Sequence, residues 1–251
     1  MNKEIAERRK RISDYLTIEK NITVTKLAKL LEVTPETIRK DLDFLEKMGV
    51  LNRVHGAAVL KEIDGEVPFE IRNMEAKDIK KKIAQESIQF IKDDSVLYID
   101  SSSTALALGK LLKLKKNLTI FTNSFDLIPV LANSKHHIFL VGGEYYEPGK
   151  RIIGPYAIEM IKDIHFDLCI CGMDGSIEVI GPATKASNEH VLISKVVKQS
   201  KKKMLIADAS KFDKRANFKY ADYSEFDIFV TSVLPSDIKD KLKIDKIIEV
   251  S

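Results

Sequence analysis

From residue 95 onward the chain carries seven short apolar runs: SVLYID, NLTIFT, HHIFLVGG, FDLCICG, KKMLIAD, FDIFVT and KIIEV. Between most of them lie stretches with helical spacing, such as TALALGKLLKL, FDLIPVLANS, NEHVLISKVVKQS and SDIKDKLK. Short apolar runs with little polar alternation suit strands buried on both faces. Parallel neighbours need long crossovers, which helices supply. The alternation therefore predicts an α/β domain built on a mainly parallel sheet. In FDLCICG, Cys169 and Cys171 sit two apart and share a strand face, a poor geometry for a disulfide between them. Buried packing in a reducing compartment is the expectation.

The first 60 residues have a different rhythm. IAERRKRISDYL sets Ile5, Ile12, Tyr15 and Leu16 near one helical face. TKLAKLLEV gives Leu27, Leu30 and Leu31 a common stripe after a polar start at Thr25. VTPETIRKDLDFLEKMG opens with Thr34 as N-cap and Pro35 at the first helical position, and stops near Gly49. VLNRVHGAAVLK reads as a small hairpin turning at His55-Gly56. EIDGEVPF, with Gly65 and Pro68, marks a connector, and IRNMEAKDIKKKIAQESIQFI predicts one long helix from about Phe69 to Ile91. The expected organisation is a helix-turn-helix module over 1–58, a linker over 59–75 and an α/β domain over 76–251.

Net charge is +4, and its placement matters more than its size. Residues 1–60 hold 12 Lys and Arg against 9 Asp and Glu, and the remainder 29 against 28. This excess in the first quarter points weakly to a polyanion there. No window approaches the ~20 apolar residues of a membrane helix. The charged start MNKEIAERRKRI lacks a signal-peptide core, so a cytoplasmic protein is expected.

In the helix from Pro35 to Met48, Ile38, Leu42 and Leu45 form the stripe to be buried. Glu36, Thr37, Arg39 and Lys40 are left outward. Two cations near a helix N-terminus oppose the macrodipole and lose a few tenths of a kcal/mol unless an anion sits close by. A helix-turn-helix places this end of its second helix in the DNA major groove, where Arg reads guanine and Thr and Lys reach base or phosphate. The candidate DNA-contacting set is Thr25, Thr34, Pro35, Glu36, Thr37, Arg39 and Lys40, with Arg53 and His55 in the hairpin as a wing. RRKR at 8–11 either contacts phosphates or is a solvated helix face, and the module as a whole could instead be a helical packing or dimerisation unit.

In the α/β block, polar groups gather where strands end, which is where open α/β sheets bind ligands. DSSST, Asp100 to Thr104, supplies the hydroxyls of Ser101, Ser102, Ser103 and Thr104, either as a phosphate cradle or as an ordinary N-cap. Thr122, Asn123 and Ser124 repeat the pattern. Asp174 in GMDG suits sugar hydroxyls, and ADASKF delivers Asp208 and Lys211 after a later strand, Lys211 suiting an anionic group. Four such endings on one sheet favour a shared pocket. The enzyme alternative is a phosphosugar isomerase with Asp174 as base, and the third reading is a protein-interaction module.

ITVTKLAKLLEVTPETIRKDLDFLEKMGVLNRVHGAAVL resembles the winged helix-turn-helix of DeoR-type bacterial transcriptional regulators, through L-A-x-x-L, T-I-R-x-D-L and R-V-H-G in order. It departs at Glu32, where glycine is usual in the turn, at Ala57 in the wing and at Pro35. DSSST, TNS, VGG…GP, GMDG and ADASKF resemble the effector domain of the same regulators, which is related to ribose-5-phosphate isomerase. The resemblance implies a repressor of a sugar-metabolism operon, bound to double-stranded operator DNA as a dimer or tetramer, with no catalytic residue, cofactor or metal. It implies a phosphorylated sugar effector at Asp100 and the neighbouring hydroxyls, with Gly142 and Gly143 beside them and Glu189 at the family's acidic position. Ser102 stands where glycine is frequent, and the usual T-T-P-N is missing before Glu189. Arg151, in a variable insertion, reaches either the pocket or the surface.

Overall fold

A computed structural model describes residues 3–54, 56–60, 66–178 and 180–251. The chain divides into two compact units, Met1–Glu75 and Ala76–Ser251.

The first unit runs α1 (Lys3–Glu19), β1 (Asn21–Thr23), α2 (Val24–Leu31), α3 (Pro35–Lys47), β2 (Leu51–Val54), β3 (Ala57–Leu60) and α4 (Phe69–Met74). The three strands form one antiparallel sheet in the order β1-β3-β2. Ile12, Leu16, Leu27, Leu31, Ile38, Leu42, Leu45 and Leu51 pack in a common core. Each fully buried aliphatic chain of this kind contributes about 1.5–3 kcal/mol. The α3 stripe is buried as expected, and Thr34 caps the helix by accepting the Thr37 N–H at 3.2 Å. Glu32 takes up the left-handed turn position at φ 54°, doing what glycine would do there.

Three details of this unit differ from expectation. Helix α2 begins at Val24, one residue before Thr25, with Thr23 as its cap, because Thr23 Oγ1 accepts the Lys26 N–H at 3.2 Å. Its buried stripe is therefore Val24, Leu27, Ala28 and Leu31, and Leu30 is exposed. The stretch 59–75 is not all connector: Val59 and Leu60 finish β3, and α4 delivers Ile71 to the core. The long helix is broken, because Ala76 takes a left-handed conformation at φ 49° that no continuous helix contains.

The second unit continues with α5 (Lys77–Ser87), β4 (Val96–Ile99), α6 (Ser103–Gly109), β5 (Thr119–Thr122), α7 (Leu127–Leu131), β6 (His137–Leu140), β7 (Glu144–Tyr146), β8 (Arg151–Ile153), α8 (Pro155–Ile161) and β9 (Phe166–Cys171). There follow β10 (Gly175–Ser176), β11 (Pro182–Thr184), α9 (Ser187–Lys198), β12 (Ser200–Ile206), β13 (Phe218–Lys219), β14 (Ile228–Ser232), α10 (Ser236–Lys239) and β15 (Lys246–Val250). The seven apolar runs are the seven strands of one sheet, ordered β15-β14-β12-β9-β4-β5-β6, and every pairing in it is parallel. Tyr98, Phe121, Cys169, Cys171, Leu205 and Phe229 join α9 residues such as Leu192 and Val196 in one core. Both cysteines are buried and free, as their shared face predicts.

Chain order fixes where polar groups converge. From β4 the chain steps outward through β5 to β6, then returns to the other side of β4 at β9 and proceeds to β15. The β4–β9 pair is thus a topological switch point, where the loops diverge and leave a crevice at the carboxyl ends. Two small sheets stand beside it in sequence: the hairpin β7-β8, and β10-β11-β13.

Candidate functional sites

The first site is the exposed front of α3. With Ile38, Leu42 and Leu45 turned inward, Arg39, Lys40, Glu36, Thr34 and Pro35 are exposed and Thr37 is half-exposed. Arg39 has only a loose 3.3 Å pair with Glu36 among the contacts seen, and both side chains are more than half exposed. Such a pair holds an arginine weakly. Thr34 and Thr37 share a hydroxyl hydrogen bond at 2.9 Å, so their oxygens are partly committed to the cap. Thr25 is exposed on α2. In the hairpin, Arg53 pairs with Asp43 of α3, which ties the wing to that helix. His55 lies outside the described residues.

Half of the basic run 8–11 has a structural role. Asp41, on the buried side of α3, accepts Arg8 Nε at 2.6 Å and Arg9 Nε at 2.8 Å, and its side chain is 2% exposed. The Arg9 guanidinium also lies 3.7 Å from the Phe44 ring centre. These arginines clamp α1 to α3 instead of forming a solvated face. Asp41 escaped the sequence reading because an acid amid the charged positions of a helix looks like any surface group.

The second site is the switch-point crevice. Asp100, just past β4, is buried; its Oδ1 accepts the Ser102 N–H at 2.9 Å and its Oδ2 the Gly172 N–H just past β9. One carboxylate therefore stitches the two diverging strands. Burial pushes the Asp100 carboxyl up to about 6, against the pull of these two N–H donors. Gly172 must lack a side chain, since a Cβ there would stand 2.4 Å from Ser102 Cβ. Its carbonyl accepts the Tyr220 hydroxyl.

Glu189, in the first turn of α9, is the hub of the crevice. Its Oε1 accepts Ser101 Oγ at 3.0 Å and Asn123 Nδ2 at 3.5 Å, and its Oε2 accepts Thr184 Oγ1 at 2.7 Å. Arg151 Nε lies 3.2 Å from Oε1, off the line of a hydrogen bond, so this is an ion pair held by charge. Arg151 is 1% exposed and thus reaches the site, not the surface. It is carried there by β8, whose backbone bridges Ser124 while Ile152 N–H donates to the Asn123 carbonyl. Side chains from four separate segments of the chain meet at one carboxylate.

Not every expected residue is placed to meet a ligand directly. Ser101 is engaged by Glu189, and Ser102 caps α6 by accepting the Ala105 N–H at 3.1 Å. Thr122 Oγ1 accepts the Ser124 N–H, and Ser124 Oγ the Leu127 N–H, so both shape the turn. Ser103 and Thr104 are buried, and their hydroxyls make no hydrogen bond among the described residues. Asp174 Oδ2 accepts the Lys185 N–H at 3.1 Å and lies 3.1 Å from Thr184 Oγ1, whose one proton is shared with the closer Glu189 Oε2, so this oxygen is committed within the chain. Gly142 and Gly143 are exposed past β6, and Gly143 instead lets the chain approach the Ile153 carbonyl, which a Cβ would meet at 2.5 Å. Asp208 accepts Ser210; burial pushes its carboxyl up, but Lys211, Ser210, Lys80 and Lys214 outweigh that and hold it below the ordinary value. Thr184 was missed altogether, since nothing in PATK distinguishes it.

A winged helix-turn-helix followed in the same chain by a parallel α/β unit with a polar crevice defines a DNA-binding regulator with a sensing domain. Two family models match: the DeoR-like helix-turn-helix domain over residues 8–63 and the DeoR C-terminal sensor domain over 75–233. The chain belongs to the DeoR family of transcriptional regulators. It is 28% identical to the HTH-type transcriptional repressor GlcR of Bacillus subtilis, over 92% of this chain and 89% of that one. It is 30% identical to the lactose phosphotransferase system repressor of Lactococcus lactis, over 85% of each. These relatives are regulators, which sets the isomerase reading aside. The solved ribose 5-phosphate isomerase A of Methanocaldococcus jannaschii overlaps 54% of each chain at 16% identity and a TM-score of 0.39, too distant to bear on chemistry. Among the described residues no helix is long and apolar enough to cross a membrane.

Proposed function

We propose that the protein represses a sugar-metabolism operon in the cytoplasm, and that a phosphorylated sugar in the crevice at Asp100–Thr104 controls its hold on operator DNA. The observation that carries this reading is the pairing of two chemistries at one place. The Ser103 and Thr104 hydroxyls have no partner in the described chain, which suits a phosphoryl group. The cluster around Glu189 is rich in oxygen acceptors, which suits sugar hydroxyls. Named relatives that include a lactose phosphotransferase system repressor support the sugar class. Arg39 and Lys40 meet bases or phosphates from α3, with Thr34, Thr37 and Arg53 on the backbone. A homo-oligomer, dimer or tetramer, presents two such helices to two half-sites.

Control works by linkage: a ligand favouring the DNA-incompetent arrangement lowers operator affinity by its differential affinity for the two states. The test is a thermal-shift screen of the full-length protein against sugar phosphates, because a ligand bound only by the folded state raises its melting point. A hit should disappear in the Ser103→Ala/Thr104→Val double variant, while inorganic sulfate of equal ionic strength gives no comparable shift. A panel without any hit refutes the reading.

A further inference from the structure

Among the described residues, the crevice holds a buried amide oxygen that its neighbours leave unsatisfied. Asn123 is fully buried, and its Oδ1 has no hydrogen-bond partner among the described residues. Its Nδ2 faces Glu189 Oε1 at 3.5 Å, and its backbone carbonyl is occupied by Ile152 N–H at 2.8 Å. Turning the amide over offers no relief, since that sets oxygen against the Glu189 carboxylate; the orientation follows from the network. The neighbouring Ser101 and Thr184 hydroxyls are already directed at Glu189. A buried carbonyl without a donor is uncommon and calls for a specific cause.

Strand register adds a second such group. Tyr98 pairs with Phe121 and Ile99 with Thr122, so Asp100 and Asn123 come next, on the same side of the sheet as Tyr98. The Tyr98 hydroxyl is also buried, with no hydrogen-bond partner among the described residues. An acceptor lacking a donor and a hydroxyl lacking a partner therefore share the sheet face that leads into the crevice.

We infer that Asn123 is the specificity-determining residue of the sensor: its Oδ1 accepts a hydrogen bond from one hydroxyl of a polyol phosphate whose phosphoryl group lies against Ser103 and Thr104. This rests on the sugar-phosphate reading above. Because Asn123 presents only its oxygen, and the adjoining groups are the carboxylates of Glu189 and, across Thr184, Asp174, the site selects a carbon bearing a donor. A deoxy or carboxylate-bearing carbon at that place is rejected, the first for leaving the oxygen unsatisfied and the second for setting anion against acceptor.

The experiment titrates the full-length protein calorimetrically with glucose 6-phosphate, galactose 6-phosphate, fructose 6-phosphate and ribose 5-phosphate. The tightest binder is then compared with its monodeoxy analogues in wild type and in Asn123→Leu. One deoxy position should lose tenfold or more in wild type and less than twofold in the variant, whose acceptor is already gone. Equal losses in both proteins at every position overturn the inference, and would mean that a buried water satisfies the oxygen. Should Asn123→Leu fail to fold by its melting curve, Asn123→Ala, which also lacks a side-chain acceptor, carries the same comparison. If none of the four sugar phosphates binds wild type, the sugar-phosphate reading itself falls, a result distinct from binding without coupling to Asn123.

Discussion

Replacing Asp41 by Asn tests whether the basic run of α1 belongs to the fold or to DNA. The carboxylate is 2% exposed and holds two guanidinium groups at 2.6 and 2.8 Å, each arginine side chain being 16% exposed. Removing one partner of a buried ion pair costs about 3–5 kcal/mol. Both arginines keep some water, and Asn can still accept one of their hydrogen bonds, so the low end, about 3 kcal/mol, is expected. For a unit of this size each kcal/mol moves the midpoint by about 4–8 °C, so the DNA-binding unit should melt more than about 10 °C lower. Differential scanning calorimetry of the full-length protein reads this as an early transition, with the remaining transition unmoved. Arg9→Ala should follow in the same direction, since it also forfeits the Phe44 ring contact. An Asp41→Asn protein that melts within about 2 °C of wild type in both transitions would refute the clamp.

Arg39→Ala should do the opposite: unchanged melting, because its exposed Glu36 pair is worth at most about 1 kcal/mol, with discrimination between operator and random DNA falling by about 1–3 kcal/mol in gel-shift titrations. Retained discrimination would remove Arg39 from the reading face. Asp100 should titrate near pH 6 in the folded protein by carboxyl-carbon NMR, against an ordinary value of 3.8. Between those values the folded form keeps a proton that the unfolded chain has released. This group's stabilising contribution is therefore full below about pH 4 and lost as pH rises through 6, by up to about 3 kcal/mol. A midpoint below 4 would mean that the two N–H donors outweigh burial. Glu189→Ala should lower the melting point of the second unit by removing the buried ion pair with Arg151 and the acceptor of the Ser101 hydroxyl, and should abolish any sugar-phosphate shift. A second unit with native stability and an intact ligand shift would show that Glu189 is not the hub.

The parts visible in the sequence are those with local causes. Strands buried on both faces must be apolar along their length, so each of the seven strands left a run, and parallel pairing followed from the helical stretches between them. Helix α3 was legible from Thr34, Pro35 and a stripe at Ile38, Leu42 and Leu45. What stayed hidden depends on partners far along the chain. Glu189 looks like a first-turn helix acid until Ser101, 88 residues earlier, and Asn123, 66 earlier, are brought to it. Strands β10, β11 and β13 are two or three residues long and too short to show a period. Nothing about Ala76, an excellent helix former, announces the left-handed break between α4 and α5.

The two units treat charge in opposite ways, and that contrast ties structure to regulation. At the front of α3 cations are left in water with weak partners, where a polyanion can bind them without first breaking a strong pair. In the crevice, the cation Arg151 is buried against Glu189, and the hydroxyl of Ser101 is spent on the same carboxylate. Under the proposed reading, a ligand that reached Glu189 would compete with contacts the protein already makes, and displacing them would shift Ser101, Asn123, Arg151 and Thr184 together, since each supplies a group to that carboxylate. The Asn123 amide oxygen, without a donor among the described residues, can be met without moving anything, so under this reading the displacement comes from the contacts at Glu189. Displacing those contacts would turn occupancy into the differential contact that any ligand-controlled change of state requires.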